Sequence, residues 1–420
     1  MTETAALARR LGTSDAVVIG LSSMIGAGVF SAFGPAARAA GTGLLIGLAI
    51  AGGVAYCNAV ASAQLAAQYP TSGGTYIYGR ERLGEWWGFV AGWGFVIGKT
   101  ASCAAMALTF ASYAAAGSLW IDRGVAVAAV VALTAANYRG ISRTAEVARG
   151  LVAVSILALL VVVVAIAASG HVHSGVGSTS FGAYGVLQAA GLLFFAFAGY
   201  ARIATLGEEV RDPAATIPRA IPIALVIALG LYLAVAIAAL LGAGPGALAV
   251  SVRPLATAVD AAGAAWALPV VRIGAAVASL GALLALIAGV GRTGLAMARH
   301  GDLPRWLASV HPRYRVPDHA ELAVAFAVVV LVLTTDLRNA IGFSSFGVLL
   351  YYAVGNASAY TQPCERRRWP RVLNVAGLAG CLVLVVTLPW SAIVAGAAVI
   401  VVGIAGRALA RRQWSSSAAG

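Results

Sequence analysis

The chain has 420 residues, of which 60% are hydrophobic and only 10% charged, and its mean hydropathy is +0.89. Surface-to-volume scaling does not let a soluble chain of this length hide so much apolar area, which excludes a soluble enzyme or binding domain. The formal charge of +13 sits on arginines that flank apolar runs and not on a basic domain interleaved with aromatics, so it reflects membrane orientation and not a nucleic-acid partner.

Apolar runs of about 20 residues cross a hydrocarbon core of roughly 30 Å. Twelve such spans are predicted, at 15–40, 44–68, 86–117, 121–138, 150–169, 184–207, 217–242, 267–297, 320–335, 339–361, 372–388 and 390–407. With the N-terminus inside, Arg9, Arg10, Arg80, Arg82, Arg139, Arg143, Arg149, Arg211, Arg219, the run from Arg299 to Arg315, the run from Arg366 to Arg371, and Arg407 to Arg412 all fall on the cytoplasmic side. The opposite loops keep isolated cations such as Arg123, Arg253 and Arg338. Both termini are therefore expected to be cytoplasmic and the protein to lie in the cell membrane. The first span is too long for a removable signal and lacks a cleavage-type end, so it is expected to remain.

Span one carries the first feature with chemical content, the glycine-interrupted stretch Ser22-Ser23-Met24-Ile25-Gly26-Ala27-Gly28, and span six carries the second, Phe195-Ala196-Phe197-Ala198-Gly199-Tyr200. A helix broken in lipid needs new partners for its freed amides and carbonyls, and a solute in a protein-lined cavity supplies them. Two breaks in corresponding positions point to a solute site near the bilayer midplane, between inverted repeats. An odd number of spans per repeat inverts the second copy, so the expected organisation is a cytoplasmic tail at 1–14, one five-span repeat at 15–169, its inverted partner at 184–361, two further spans at 372–407, and a cytoplasmic tail at 408–420. The longest extracytoplasmic connections, His171 to Ala183 and Gly242 to Ala265, are too short to fold alone.

If Gly26 and Gly28 unwind span one, the amides of Ala27, Gly28 and Val29 open a half-helix whose dipole suits a carboxylate. Carbonyls left at Ser23, Met24 and Phe195 to Ala198 suit an ammonium group. Bare amides beside bare carbonyls match a zwitterion, an α-amino acid. Glycines that merely let helices pack closely are the competing explanation.

The stretches Ile19 to Phe30 (IGLSSMIGAGVF), Tyr69 to Tyr78 (YPTSGGTYIY), Phe194 to Ile221 (FFAFAGYARIATLGEEVRDPAATIPRAI) and Gly291 to Pro304 (GRTGLAMARHGDLP) resemble the amino acid/polyamine/organocation superfamily of permeases, over spans one to ten. That resemblance implies a LeuT-type fold with discontinuous helices one and six, alternating access, and transport of amino acids or related amines, often with a proton as coupling ion. By the same resemblance Ala27 and Gly28 hold the substrate carboxylate, Met24, Phe195 and Ala198 offer carbonyls to its amine, Ile25, Gly26 and Gly199 complete the backbone cradle, and Phe195 stands at an outer gate, with Tyr200 next to the second break.

Two departures from the family pattern matter. Many relatives carry a lysine on span five; the matching position here is Ser155, and the only lysine in the chain is Lys99, in the middle of span three. A charge there costs roughly 2.5 to 3.5 kcal/mol on insertion scales, so it needs a partner or a task. Three readings stand: Lys99 recognises an acidic substrate side chain, it replaces a coupling cation by bridging carbonyls of a broken helix, or it is a structural cation bonded to groups such as Thr100 and Ser102. Cys103 lies one turn further along the same pocket wall. Ser22, Ser155 and Ser279 are candidate polar groups at the cation position, or hydroxyls bonded back to their own helices. Glu208 and Glu209, near Arg202 and Arg211, are expected either to pair with Arg292 or Arg299 as an inner gate or to serve as ordinary interfacial charge. The second departure is Tyr200-Ala201-Arg202, where relatives often place an acidic or polar inner-gate residue. Phe343, Phe346, Tyr351 and Tyr352 line the outer pathway or simply pack.

Cys57, Cys103, Cys364 and Cys381 lie in or beside different spans without paired spacing, so neither a disulfide framework nor a metal site is expected, and no histidine falls within the bilayer. A channel needs a continuous polar pore, and an enzyme needs a nucleophile, a carboxylate pair or a metal cluster at membrane depth; the sequence offers neither. The expected protein is a non-enzymatic secondary carrier that takes up neutral or acidic amino acids with a proton, its partners being the substrate and membrane lipid, with no obligatory protein partner or cofactor. An amino acid or amine exchanger and a non-transporting amino acid receptor are the alternatives.

Overall fold

In lipid every backbone amide and carbonyl must find an internal partner, and this chain meets the requirement with helices. The computed structural model describes residues 11–69, 73–115, 117–139, 145–170, 172–173, 182–200, 203 and 210–417; among them the regular structure is helical apart from one isolated parallel bridge between Leu11 and Val210. In chain order the α-helices are α1 (Thr13–Met24), α2 (Ala27–Ser31), α3 (Phe33–Ala40), α4 (Leu44–Gln68), α5 (Gly74–Leu83), α6 (Glu85–Ala114), α7 (Leu119–Tyr138), α8 (Ala145–Ser169), α9 (Ala183–Phe197), α10 (Pro213–Val250), α11 (Pro254–Ala261), α12 (Leu268–Arg299), α13 (Asp318–Thr334), α14 (Leu337–Tyr360), α15 (Arg371–Thr387) and α16 (Trp390–Ser417).

Ten helical stretches among the described residues are long and apolar enough to cross a membrane. The two remaining predicted spans, 320–335 and 372–388, fold as α13 and α15, each 17 residues long. The protein is an all-α polytopic membrane protein. Two boundaries differ from the sequence reading. Past the predicted end at 242 the chain kinks at Gly244 (φ 71°, ψ 164°), and a further helical segment from Pro245 to Val250 completes α10; glycine tolerates the positive φ and proline starts the new helical turn. Most of the connection predicted at 242–265 is therefore helical, in α10 and α11. Helix α16 likewise continues to Ser417, through part of the predicted tail, since no proline or glycine follows Gly406 until Gly420.

The helices pack in two groups that cut across the expected repeat boundary. Helices α1, α4, α9 and α10 pack on one another, and α6, α7, α12 and α13 form a second set; α8 and α14 touch both. The two breaks belong to the first group, and α6 presents Lys99 to them from the second.

Two of the stretches that carried the family resemblance meet on the arginine-rich side. Asp302, whose side chain is fully buried, accepts from Arg80 Nη1 (2.9 Å), Tyr76 Oη (2.8 Å) and Arg407 Nε (2.7 Å). Arg407 also lies 4.4 Å over the Trp86 ring, so the last helix is fastened to α5, α6 and the loop after α12. Removing the carboxylate charge leaves two arginines facing each other in a buried site, which costs on the order of 3 to 5 kcal/mol. Asp302→Asn is therefore expected to lower the thermal midpoint in detergent clearly, and an unchanged midpoint contradicts the assignment of this cluster as a fastening.

Candidate functional site at the paired helix breaks

Break one sits at Ile25 and Gly26. The last α1 bond runs from Ile25 N–H to Leu21 O (2.7 Å), Ile25 then leaves helical geometry (φ −78°, ψ 67°), and Gly26 is extended (φ −114°, ψ −151°). Helix restarts at Ala27 and passes through Ala32, itself in the right-handed helical region, into α3, so 27–40 acts as one half-helix. The expected unwinding at Gly28 is corrected: Gly28 is helical, and its role is close packing, since a Cβ there would lie 2.7 Å from Ala196 Cα. The amides of Ala27, Gly28 and Val29 form the first turn, where helix geometry supplies no intrahelical acceptor.

Break two begins where α9 ends at Phe197 and the chain tightens into a 3₁₀ turn over Ala198–Tyr200. The breaks touch through backbone. A Cβ on Gly199 would fall 2.1 Å from Ser23 O and 2.5 Å from Met24 N, so only glycine lets the two chains cross there. Gly26 packs against α12, with a would-be Cβ 3.0 Å from Ala282 Cβ.

Several freed carbonyls already have protein donors. Tyr232 Oη, from α10, lies 2.6 Å from Met24 O and 3.0 Å from Ala196 O, bridging the breaks. Lys99 Nζ donates to Ala198 O (3.1 Å), and Tyr352 Oη approaches the same oxygen at 3.4 Å. A carbonyl oxygen has two lone pairs; Met24 O also accepts from Gly26 N–H (2.8 Å), so Met24 O and Ala198 O each carry two donors. Tyr352 is held in turn by ring stacking on Tyr200 (5.0 Å) and by Asn356, which donates to Tyr352 O (2.9 Å) and to Asn58 Oδ1 (2.6 Å).

Lys99 is 6% exposed and has no ion pair among the described residues. The polar neighbours expected for it are used otherwise: Thr100 Oγ1 bonds back to Val96 O (2.8 Å), and Ser102 Oγ meets Ser344 Oγ at 2.6 Å. Cys103 is fully buried one turn along α6. Phe195 packs with Leu192, Ala105, Ala340 and Ile341, which gives this side of the break an apolar wall.

The three serines do not act alike. Ser22 and Ser155 bond back to Ile19 O (2.8 Å) and Leu151 O (2.8 Å). Ser279 is buried and its hydroxyl has no partner among the described residues; it lies on the turn of α12 that faces Gly26. Tyr351 turns away, its hydroxyl accepting from Thr75 N–H (3.0 Å) and its ring lying 5.1 Å from Phe95. Glu208 and Glu209, with Arg202, lie outside the described residues. On that side Arg149 pairs with Asp15, and Arg211 N–H donates to Leu11 O (2.8 Å). On the other side Tyr113 Oη donates to Phe30 O (2.9 Å) and Arg338 Nη2 to Gln188 Oε1 (3.1 Å). Met24, Ala27 and Ala198 are each at most 3% exposed, so both breaks are buried.

Tyr232 was not singled out from sequence, although it is the only hydroxyl-bearing residue in 217–242. Tyr232→Phe removes the hydroxyl that bridges Met24 O and Ala196 O, leaving Met24 O only its Gly26 N–H bond (2.8 Å), at a cost of about 1–3 kcal/mol. Expected are a lower thermal midpoint and uptake reduced severalfold; wild-type uptake in Tyr232→Phe contradicts a linking role.

A model of the family described as amino acid permease matches residues 11–407. An uncharacterized transporter of Mycobacterium tuberculosis is 60% identical over 403 residues, 95% of this chain and 90% of its own length. The branched-chain amino acid permease of Bacillus subtilis is 27% identical over 418 residues (92% and 90%), and the chloroplastic cationic amino acid transporter 7 of Arabidopsis thaliana is 29% identical over 421 residues (91% and 70%).

Proposed function

Because the chain belongs to the amino acid permease family, whose members are transporters and not enzymes, we propose that it carries neutral, and secondarily acidic, amino acids into the cell by proton-coupled alternating access. The observation that supports this reading is the crossing of Gly199 over Ser23 and Met24, with Gly28 packed on Ala196, which brings the start of the 27–40 half-helix against the second break. Those amides and the dipole of the 27–40 half-helix suit the substrate carboxylate. The Phe195 carbonyl, and Met24 O once it exchanges the Tyr232 hydroxyl for the substrate, suit its ammonium, with Ile25, Gly26, Gly28, Ala198 and Gly199 completing the cradle and Phe195 closing it from outside.

Side-chain selectivity follows from charge. A buried ammonium next to the pocket repels a lysine- or arginine-like side chain, because like charges close together in a poorly solvated site cost several kcal/mol. The Bacillus relative, a branched-chain amino acid permease, agrees with the apolar wall around Phe195; the Arabidopsis relative, a cationic amino acid transporter, does not. Since Lys99 already donates to Ala198 O, acidic side chains come second to neutral ones.

Lys99 also serves as the coupling group. With its proton it holds Ala198 O and so ties α6 to break two; without it the tie weakens and the first helix group is released to rock against the second. The arginine-rich side is the cytoplasmic one, and the pair of Asp15 with Arg149 there serves as the inner gate. Counterflow in proteoliposomes tests the function: leucine-like substrates are expected to accumulate when trans-loaded, arginine is not, and an inward proton gradient raises net uptake. Binding without flux would show a receptor, and flux only against internal amino acid would show an exchanger.

A further inference from the structure

Outside the helix breaks the structure carries a groove of about 680 Å³ between α7 and α13, which the transport cycle does not use. Val131, Ala135, Phe326 and Val329 line it, and it runs alongside Val131 to Tyr138 for about 10 Å. An apolar face is ordinary for a helix in lipid; what distinguishes this one is its end. There Tyr138, His311 and Tyr314 form an aromatic cluster, with ring centroids 5.2 Å apart for Tyr138 and His311 and 4.8 Å for His311 and Tyr314. The turn bearing Tyr314 is preformed, since the backbone N–H groups of Arg313 and Tyr314 both donate to His311 Nδ1 at 3.2 Å.

Two arginines rim this end. Arg139 lines the groove, and Arg313 stands 5.5 Å over the Tyr314 ring. Both are exposed, and neither has an ion-pair partner among the described residues. The acids of α13 do not neutralise them from within the groove. Asp318 and Glu321 are buried, and Glu321 faces α12, its Cγ 2.7 Å from where a Gly291 Cβ would stand. An acyl-chain-sized trough that ends, at the level of an aromatic belt, in two uncompensated guanidinium groups is complementary to a lipid with a negative headgroup.

We propose that the groove between α7 and α13 holds one anionic phospholipid of the surrounding bilayer, an acyl chain along Val131, Ala135, Phe326 and Val329 and the phosphate on Arg139 and Arg313. The lipid braces the second helix group, against which the broken helices move. This assignment is independent of which amino acid is carried.

The test is native mass spectrometry of the delipidated full-length protein titrated with phosphatidylglycerol and phosphatidylcholine of matched chains. Wild type is expected to bind one phosphatidylglycerol in preference to phosphatidylcholine, and Arg139→Gln with Arg313→Gln to lower that preference about tenfold, given the attraction of each arginine for anionic headgroups. Ala135→Trp, which fills the trough, is expected to remove the tightly bound lipid while leaving the arginines in place. Arg366→Gln with Arg368→Gln, away from the groove, is expected to change nothing. Equal binding of the two lipids by wild type, an unchanged preference in the double variant, or a dimer that Ala135→Trp dissolves would each overturn the proposal.

Discussion

Gly199→Ala is expected to abolish transport. The new Cβ would sit 2.1 Å from Ser23 O and 2.5 Å from Met24 N, and both are backbone atoms, so no side-chain rotation relieves the clash. Overpacking a tight core costs about 3 kcal/mol at the upper end of its usual range, and here the strain falls on the point where the two breaks cross. The half-helices must separate, which moves Met24 O away from Tyr232 and Ala198 O away from Lys99. A matched control is Gly289→Ala on α12, where a Cβ meets nothing within 4 Å and which is expected to transport normally. Uptake per folded molecule, measured for both variants, checks the pair. Wild-type uptake in Gly199→Ala would mean that the crossing is not part of the transport machinery.

Lys99→Ala has the second largest expected effect, and stability and transport should part company. Taking a charge out of the bilayer interior returns roughly 2.5–3.5 kcal/mol on insertion scales, whereas the lost bond to Ala198 O is worth about 1.5–3 kcal/mol as a hydrogen bond to a charged group. The two nearly cancel, so the thermal midpoint is expected to move little. Uptake is expected to fall at least tenfold and to lose its response to a proton gradient, with amino acid binding retained. Lys99→Arg does not restore coupling, because a guanidinium does not release its proton in a protein. A large loss of stability with gradient-driven uptake intact would mark Lys99 as a structural cation, and a selective loss of acidic ligands would mark it as a reader of the substrate side chain.

What could be seen in the sequence depended on how local the cause was. The membrane class and the number of apolar runs follow from composition, and both breaks were visible because Gly26 and Gly199 interrupt otherwise continuous apolar helix. The position of the first break was off by a residue or two: Ile25 carries the non-helical torsion, and Gly28 is needed for its missing side chain against Ala196. A glycine in a sequence does not say whether it serves torsion or proximity. The partners of the freed carbonyls were largely hidden. Tyr232 is 208 residues from Met24, and Tyr352 is 154 from Ala198, contacts that only the fold creates. Ser155 was a candidate by position in the family pattern, yet its hydroxyl bonds back to its own helix, the usual fate of a hydroxyl in a helix. Asp302 stood within a recognisable stretch, but its burial between arginines from α5 and α16 depended on how the last helix returns to the first loop.

The most direct test is a cryo-EM map of the protein incubated with the amino acid that supports counterflow. Density for one molecule is expected between the two breaks, its carboxylate on the amides of Ala27 to Val29 and its ammonium toward Met24 O and the end of α9. A well-resolved map with that space empty and the amino acid bound elsewhere would contradict the account.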